Sequence, residues 1–156
     1  MDDDGISQVA ALIITLLISA YFSASETAFL NYNTSRMKNL ASNNKKAALV
    51  LRLEDNYDNL MSTVLIFNNI ANIAAASLAI FIFSKMFVNN GIVFSTLIAI
   101  LLILILGELF PKGLADIYPD KTAMILAPSM KYFVFICTPI NSFLSMLKKM
   151  IYKLIK

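Results

Sequence analysis

The chain has 156 residues, 58% of them apolar and only 15% charged, with a formal charge of +3 and no histidine. Its mean hydropathy is +0.71, and a soluble domain would carry about 25% charged residues. Lack of histidine excludes triads built on an imidazole base and His-ligated zinc or iron, and a lone cysteine, Cys137, excludes an intrachain disulfide.

Charged residues are absent from 5–25, 59–84 and 86–107, gaps of 21, 26 and 22 residues. About 20 apolar residues cross a bilayer as a helix. The chain therefore reads as an all-α integral membrane protein, a single domain at this length. A first spanning helix covers about 6–30. It follows Asp2, Asp3 and Asp4 with no Lys or Arg before it. A cleaved secretory signal wants a basic start, so this segment is expected to stay. The polar stretch 31–57 holds two short helices, about 34–41 and 45–53, parted by an Asn43-Asn44 turn signal. A second span runs about 58–87, a tight outer turn falls at Asn89-Asn90-Gly91, and a third span runs about 92–110. Pro111, which has no N–H, is expected to end it.

The pattern then changes. Pro119, Pro128 and Pro139 punctuate the rest, and its longest uncharged gap, 132–147, is 16 residues, short for a span. Ile140, Phe143, Leu144, Leu147, Met150, Ile151 and Leu154 repeat at helical spacing. Ser145, Lys149, Lys153 and Lys156 line the opposite face, so this end reads as a basic amphipathic helix along the interface. The expected fold is three transmembrane helices plus a belt of cytoplasmic-side juxtamembrane amphipathic helices over about 34–56 and 119–156. If all three runs span, twelve of the thirteen basic residues, all but Lys85, share one side. The positive-inside rule then places the N-terminus outside and the C-terminus in the cytoplasm. The basic excess marks topology rather than a nucleic-acid surface.

Three polar groups sit at membrane depth, where an ionisable side chain costs at least about 2.5–3.5 kcal/mol and so needs a reason. Glu108 follows the apolar run 98–106 within Gly107-Glu108-Leu109-Phe110-Pro111-Lys112. Pro111 cannot donate to the carbonyl four residues back, so Gly107 offers a freed oxygen beside a carboxylate. The plainer account is a Glu108–Lys112 pair at i+4. In the first helix, Ser19, Ser23 and Glu26 lie near one face, flanked by Ser25 and Thr27, and Thr15 suits a back-bonded hydroxyl. In the second, Asn68, Asn69 and Asn72 put three carboxamides in one turn. Ala71, Ala75 and Ala79 form a small-residue row there that admits a close neighbour. Helix–helix glue would explain the asparagines, and an ion site would too. With no histidine, any metal must use oxygen ligands, which favours Mg²⁺, Ca²⁺ or Na⁺.

These motifs resemble the transmembrane domain of the CNNM/CorC family, associated with magnesium and often sodium-coupled transport. The resemblance rests on Ser23-Ala24-Ser25-Glu26-Thr27-Ala28, Asn68-Asn69-Ile70-Ala71-Asn72 and Gly107-Glu108-Leu109-Phe110-Pro111-Lys112, in the family's order and covering nearly the whole chain. It implies a homodimer in the cell membrane and a Mg²⁺ site in each protomer, open to the cytoplasm. Carried over residue by residue, that metal site comprises Ser19, Ser23, Asn69, Asn72, the Gly107 carbonyl and Glu108, with Ser25 and Asn68 beside it. Family members usually continue into cytosolic CBS domains that bind nucleotide, and no such segment occurs in 1–156.

The expected function is membrane transport of Mg²⁺, coupled to Na⁺, through that oxygen site. The alternative is a membrane domain that senses Mg²⁺ or acts as a scaffold without transporting. An enzyme is not expected. A hydrolase using Ser23 or Ser25 with Glu26 lacks a nearby base and a Gly-x-Ser-x-Gly elbow, and no GxxxxGK[ST] loop provides for ATP.

Overall fold

The computed structural model describes residues 3–86 and 91–155. Among them every element is helical: α1 (Asp3–Asn31), α2 (Thr34–Ala41), α3 (Lys45–Glu54), α4 (Tyr57–Met86), α5 (Gly91–Leu102), a π-helical segment (Ile103–Leu109), α6 (Phe110–Ile117) and α7 (Pro119–Ile155). The two short helices start on asparagine caps, because an Asn side chain can accept from amides that have no intrahelical partner. Asn33 Oδ1 accepts from Arg36 N at 2.9 Å, and Asn44 Oδ1 from Lys46 N at 2.9 Å. Asn89 and Asn90 of the expected outer turn lie outside the described residues. So do most side chains of the amphipathic end expected beyond Phe143.

α1 and α4 run antiparallel, with Ser23 opposite Asn68 and Ser19 opposite Asn72. Further along, Leu12 packs with Ala75, Ala79 and Ala99 in a small cluster closed by α5. The alanine row of α4 is thus used within the protomer, where small residues let helix backbones approach in the absence of a hydrophobic drive between helices. It is not the free surface for self-association that its spacing suggests. The larger core joins Phe22, Ala28 and Phe29 of α1, Val50 and Leu53 of α3, Leu60 and Val64 of α4, and Ala123, Ala127 and Met130 of α7.

The third apolar run departs from the expectation that Pro111 ends it, for the helix continues to Ile117. Pro111 falls in the first turn of α6, where a missing N–H costs little. The π-helical segment before it absorbs the change of register: Phe110 N–H bonds Ile105 O, five residues back.

By length and composition, four helices can cross a bilayer: Gly5–Asn31, Tyr57–Lys85, Ile92–Ile117 and Pro119–Phe143. That is one more than expected, because α7 runs unbroken through Pro128 and Pro139. Each proline deletes one backbone bond, a loss that helices at membrane depth tolerate when neighbouring groups satisfy the freed carbonyl.

The contacts of α7 show how it lies. Near its start, Asp120 accepts the Asn33 N–H at 2.7 Å and pairs with Arg36 at 3.0 Å, just past the end of α1. Asn141 comes about 32 Å of helix later. Its Nδ2 donates to Asn59 O and Thr63 Oγ1, each at 3.1 Å, in the first turns of α4. Since α1 and α4 are antiparallel, both contacts fall at the same end of the bundle. Between them Phe133 closes an aromatic cluster with Tyr21, Phe22 and Phe67, at ring-centroid distances of 5.0–6.0 Å. α7 lies aslant that end, over α3, instead of running parallel to α1 from one end to the other.

Lys121 and Ser142 are both exposed, whereas Cys137 is buried. In a Cys137→Ala background, Lys121→Cys and Ser142→Cys should therefore be modified by a membrane-impermeant thiol reagent from the same side of oriented vesicles. Labelling from opposite sides would mean that 119–143 traverses the membrane.

Candidate cation site

The polar residues at membrane depth converge where α1, α4 and the π-helical segment meet. Ser19 and Ser23, one turn apart on α1, are fully buried, and Asn68 is 5% exposed. Ser19 Oγ lies 3.5 Å from Asn68 Oδ1, 2.5 Å from Asn72 Oδ1 and 3.3 Å from Gly107 O. Ser23 Oγ lies 3.3 Å from the same Asn68 Oδ1. Asn72 Nδ2 donates to Glu108 Oε1 at 2.9 Å, and that bond turns Asn72 Oδ1 toward Ser19.

Each serine hydroxyl donates once, so Ser19 and Ser23 offer two protons to Asn68 Oδ1, Asn72 Oδ1 and Gly107 O. The three carbonyl oxygens carry six lone-pair sites and the two serine oxygens four, ten in all, and they face two hydroxyl protons. Oxygen lone pairs in excess, shielded from water, are the chemistry of a hard cation's ligand set. The Gly107 carbonyl belongs to it for a local reason. Phe110 N–H has gone to Ile105, and Pro111 has no N–H to give either Leu106 or Gly107. A Cβ at Gly107 would stand 2.9 Å from Ser19 Oγ, so a larger residue there has to push that hydroxyl aside.

Glu108 brings the one carboxylate. The plainer pairing of Glu108 with Lys112 is not what the structure holds, for the Lys112 ammonium instead bonds Glu26 Oε2 at 2.9 Å, across on α1. Among the described residues no three His, Cys, Asp or Glu side chains gather as a metal cluster. A cation here would be held by one anionic group and several neutral oxygens.

Of the residues read from the sequence, Ser19, Ser23, Asn72, Gly107 and Glu108 are brought together. Asn69 is not: it is exposed, and Asn68 occupies the place expected of it. Asn68 and Asn69 both lie within about 60° of Asn72 around the helix, on opposite sides of it, and the α1 serines meet the Asn68 side. The spacing already held the signal. Asn68 and Asn72 are i,i+4, matching the i,i+4 serines across the interface, whereas Asn69 and Asn72 are i,i+3. Ser25 is buried but donates to Tyr21 O at 2.8 Å and stays outside the cluster. Thr15 is back-bonded to Ala11 O and Leu12 O.

The model of the cyclin M (CNNM) transmembrane N-terminal domain matches residues 10–156. The chain belongs to that family. Its cyclin M domain is 36% identical over 127 residues to a UPF0053 protein of Haemophilus influenzae, covering 78% of this chain and 30% of that protein. It is 33% identical over 138 residues to the UPF0053 inner membrane protein YfjD of Escherichia coli, covering 85% of this chain and 32% of the relative. A chloroplastic DUF21 domain-containing protein of Arabidopsis thaliana is 25% identical over 144 residues, covering 92% of this chain and 22% of the plant protein. The chain spans about a third of the length of the first two relatives. With its apolar helices, this cyclin M domain is a multi-pass membrane protein.

Gly107→Ala should force Ser19 out of place and lower the stability of the cyclin M domain by about 1–3 kcal/mol, as overpacking does. Thermal unfolding in detergent measures the loss, and Ser19→Gly added to it should recover part. A Gly107→Ala variant as stable as the parent would remove the close approach from the account.

Proposed function

We propose that this domain moves Mg²⁺ across the membrane as a secondary transporter, through the oxygen cluster of Ser19, Ser23, Asn68, Asn72, Gly107 and Glu108, with Na⁺ as the coupling ion. The observation that carries the reading is the excess of oxygen acceptors over protons around Ser19. Family membership supports a role in divalent-cation transport. The choice of Mg²⁺ and Na⁺ follows the resemblance stated above.

Mg²⁺ keeps several waters and wants near-octahedral oxygen coordination. Glu108 would supply the compensating charge, while the serine, asparagine and carbonyl oxygens replace part of the hydration shell. A single carboxylate neutralises half of a divalent ion's charge. That suits a site that must also release its ion. The π-helical segment and Pro111 make the third span the element best able to change shape around the site. The N-terminus would face outside and the basic 31–57 stretch and C-terminus the cytoplasm, by the positive-inside rule. In the membrane the domain would act as a homodimer, with CBS domains supplied by the rest of a longer protein.

A ligand that binds only the folded state stabilises it in proportion to the logarithm of its concentration above Kd. Mg²⁺ should raise the Tm of the purified chain, and Glu108→Ala and Asn72→Ala should each abolish most of that rise. Asn69→Ala, away from the cluster, should leave it intact. Unchanged stabilisation in both Glu108→Ala and Asn72→Ala would sink the site. In proteoliposomes, an imposed Na⁺ gradient should drive Mg²⁺ the opposite way, in exchange for Na⁺, and Mg²⁺ binding without movement under any gradient would assign the site to sensing.

A further inference from the structure

Lys112 is one helical turn beyond Glu108, and its ammonium is a cation on a flexible tether beside the one carboxylate of the cluster. The Glu-to-Lys order at i,i+4 is the favourable one for pairing along a helix. Yet Lys112 Nζ lies 2.9 Å from Glu26 Oε2 on α1, and Glu108 is left with Asn72 Nδ2 at 2.9 Å. Glu26 is the only charged residue from Gly5 to Asn31 and follows Ser23 by three positions. The Glu26 and Lys112 side chains are 21% and 37% exposed, so water screens their attraction only in part.

We propose that Glu26 is a positioning residue for the cation site: by holding the Lys112 ammonium, it keeps that tethered cation off Glu108. The inference rests on the cation-site reading given above. Without Glu26, Lys112 has two carboxylates one turn away on its own helix, Glu108 and Asp116. Asp116 stands in the less favourable Lys-to-Asp order and already accepts Asn31 Nδ2 at 2.7 Å. Lys112 therefore turns to Glu108, where its ammonium competes with the bound ion for the same oxygens.

Isothermal titration of the purified chain with MgCl₂ in detergent tests this on Glu26→Gln, Lys112→Met and the double variant. Glu26→Gln should weaken Mg²⁺ binding about tenfold, and Lys112→Met and the double variant should stay within about twofold of the parent. Simple loss of a negative charge predicts something different: the effects of the two single changes would then multiply in the double variant. An unchanged affinity in Glu26→Gln, or a double variant equal to the product of the singles, overturns the proposal. If Glu26→Gln does not fold, Glu26→Asp carries the same test. Its shorter side chain loosens the hold on Lys112, so a smaller loss of affinity should appear and be reversed by Lys112→Met, and absence of the loss or of its reversal overturns the proposal. Glu108→Ala in the same series separates the two levels. If it binds Mg²⁺ as the parent does, the cation site itself is wrong; if it loses binding while Glu26→Gln does not, only the role of Glu26 falls.

Discussion

One hydroxyl proton, on Ser19, is shared among oxygens from two other segments, and much of the structure is arranged so that this contact can exist. Ser19 reaches Asn68 and Asn72 on α4 and the Gly107 carbonyl on the π-helical segment. Three segments can meet at one oxygen only if each presents little bulk. Accordingly α1 offers serines, α4 offers asparagines and alanines, and the third span offers a glycine, where a Cβ would stand only 2.9 Å from Ser19 Oγ. In lipid, packing and interhelical hydrogen bonds must bring helices together. The same side chains that make the helices adhere therefore make the polar cluster, and helix–helix glue and the proposed ion site use one arrangement.

Backbone chemistry extends that argument to the third span. Ordinary α-helical bonding would have hidden the Gly107 oxygen within the helix. Pro111, with no N–H to give, frees it, and the shift of Phe110 N–H onto Ile105 O takes the α-helical donor from Leu106 O beside it. π-helical turns inside α-helices are energetically poorer and are found disproportionately at functional positions. Here the turn puts a backbone oxygen and a carboxylate on consecutive residues facing α1 and α4.

Much of this was legible in the residues, and the failures have physical causes. Charge-free gaps of 21, 26 and 22 residues locate α1, α4 and the third span, because burying so many apolar side chains elsewhere is not feasible, whereas α7 has no comparable gap. The two short helices were readable from the Asn43-Asn44 turn signal, and the structure adds that Asn33 and Asn44 cap them. Pro111 was readable as a device that frees Gly107, but not as a residue inside a continuing helix, since a π-helical register has no clear sequence mark. Asn69 was chosen over Asn68 by likeness to the family, although the i,i+4 spacing of Asn68 and Asn72 matches that of the two serines. Lys112 went to Glu26 and not to Glu108, a tertiary choice that i,i+4 spacing cannot reveal. Prolines 128 and 139 suggested a broken α7, yet each removes one bond and the rest of the helix holds.

The distribution of charge ties these points together. A cluster with several carboxylates would hold a divalent cation strongly but would be costly to keep at membrane depth without one. Ser19, Ser23, Asn68, Asn72 and the Gly107 carbonyl are neutral and carry a much smaller penalty, because they bond one another in the absence of an ion. Glu108 alone carries charge, and Asn72 Nδ2 donates to it, so the carboxylate too has a partner when nothing is bound. Without an ion the cluster shares its protons internally, and in the proposed function the same oxygens would turn to a bound cation. A third arrangement, with Lys112 on Glu108, would compete with both. The Glu26–Lys112 pair removes that competitor, and this gives a charge outside the cluster a part in what the cluster can bind.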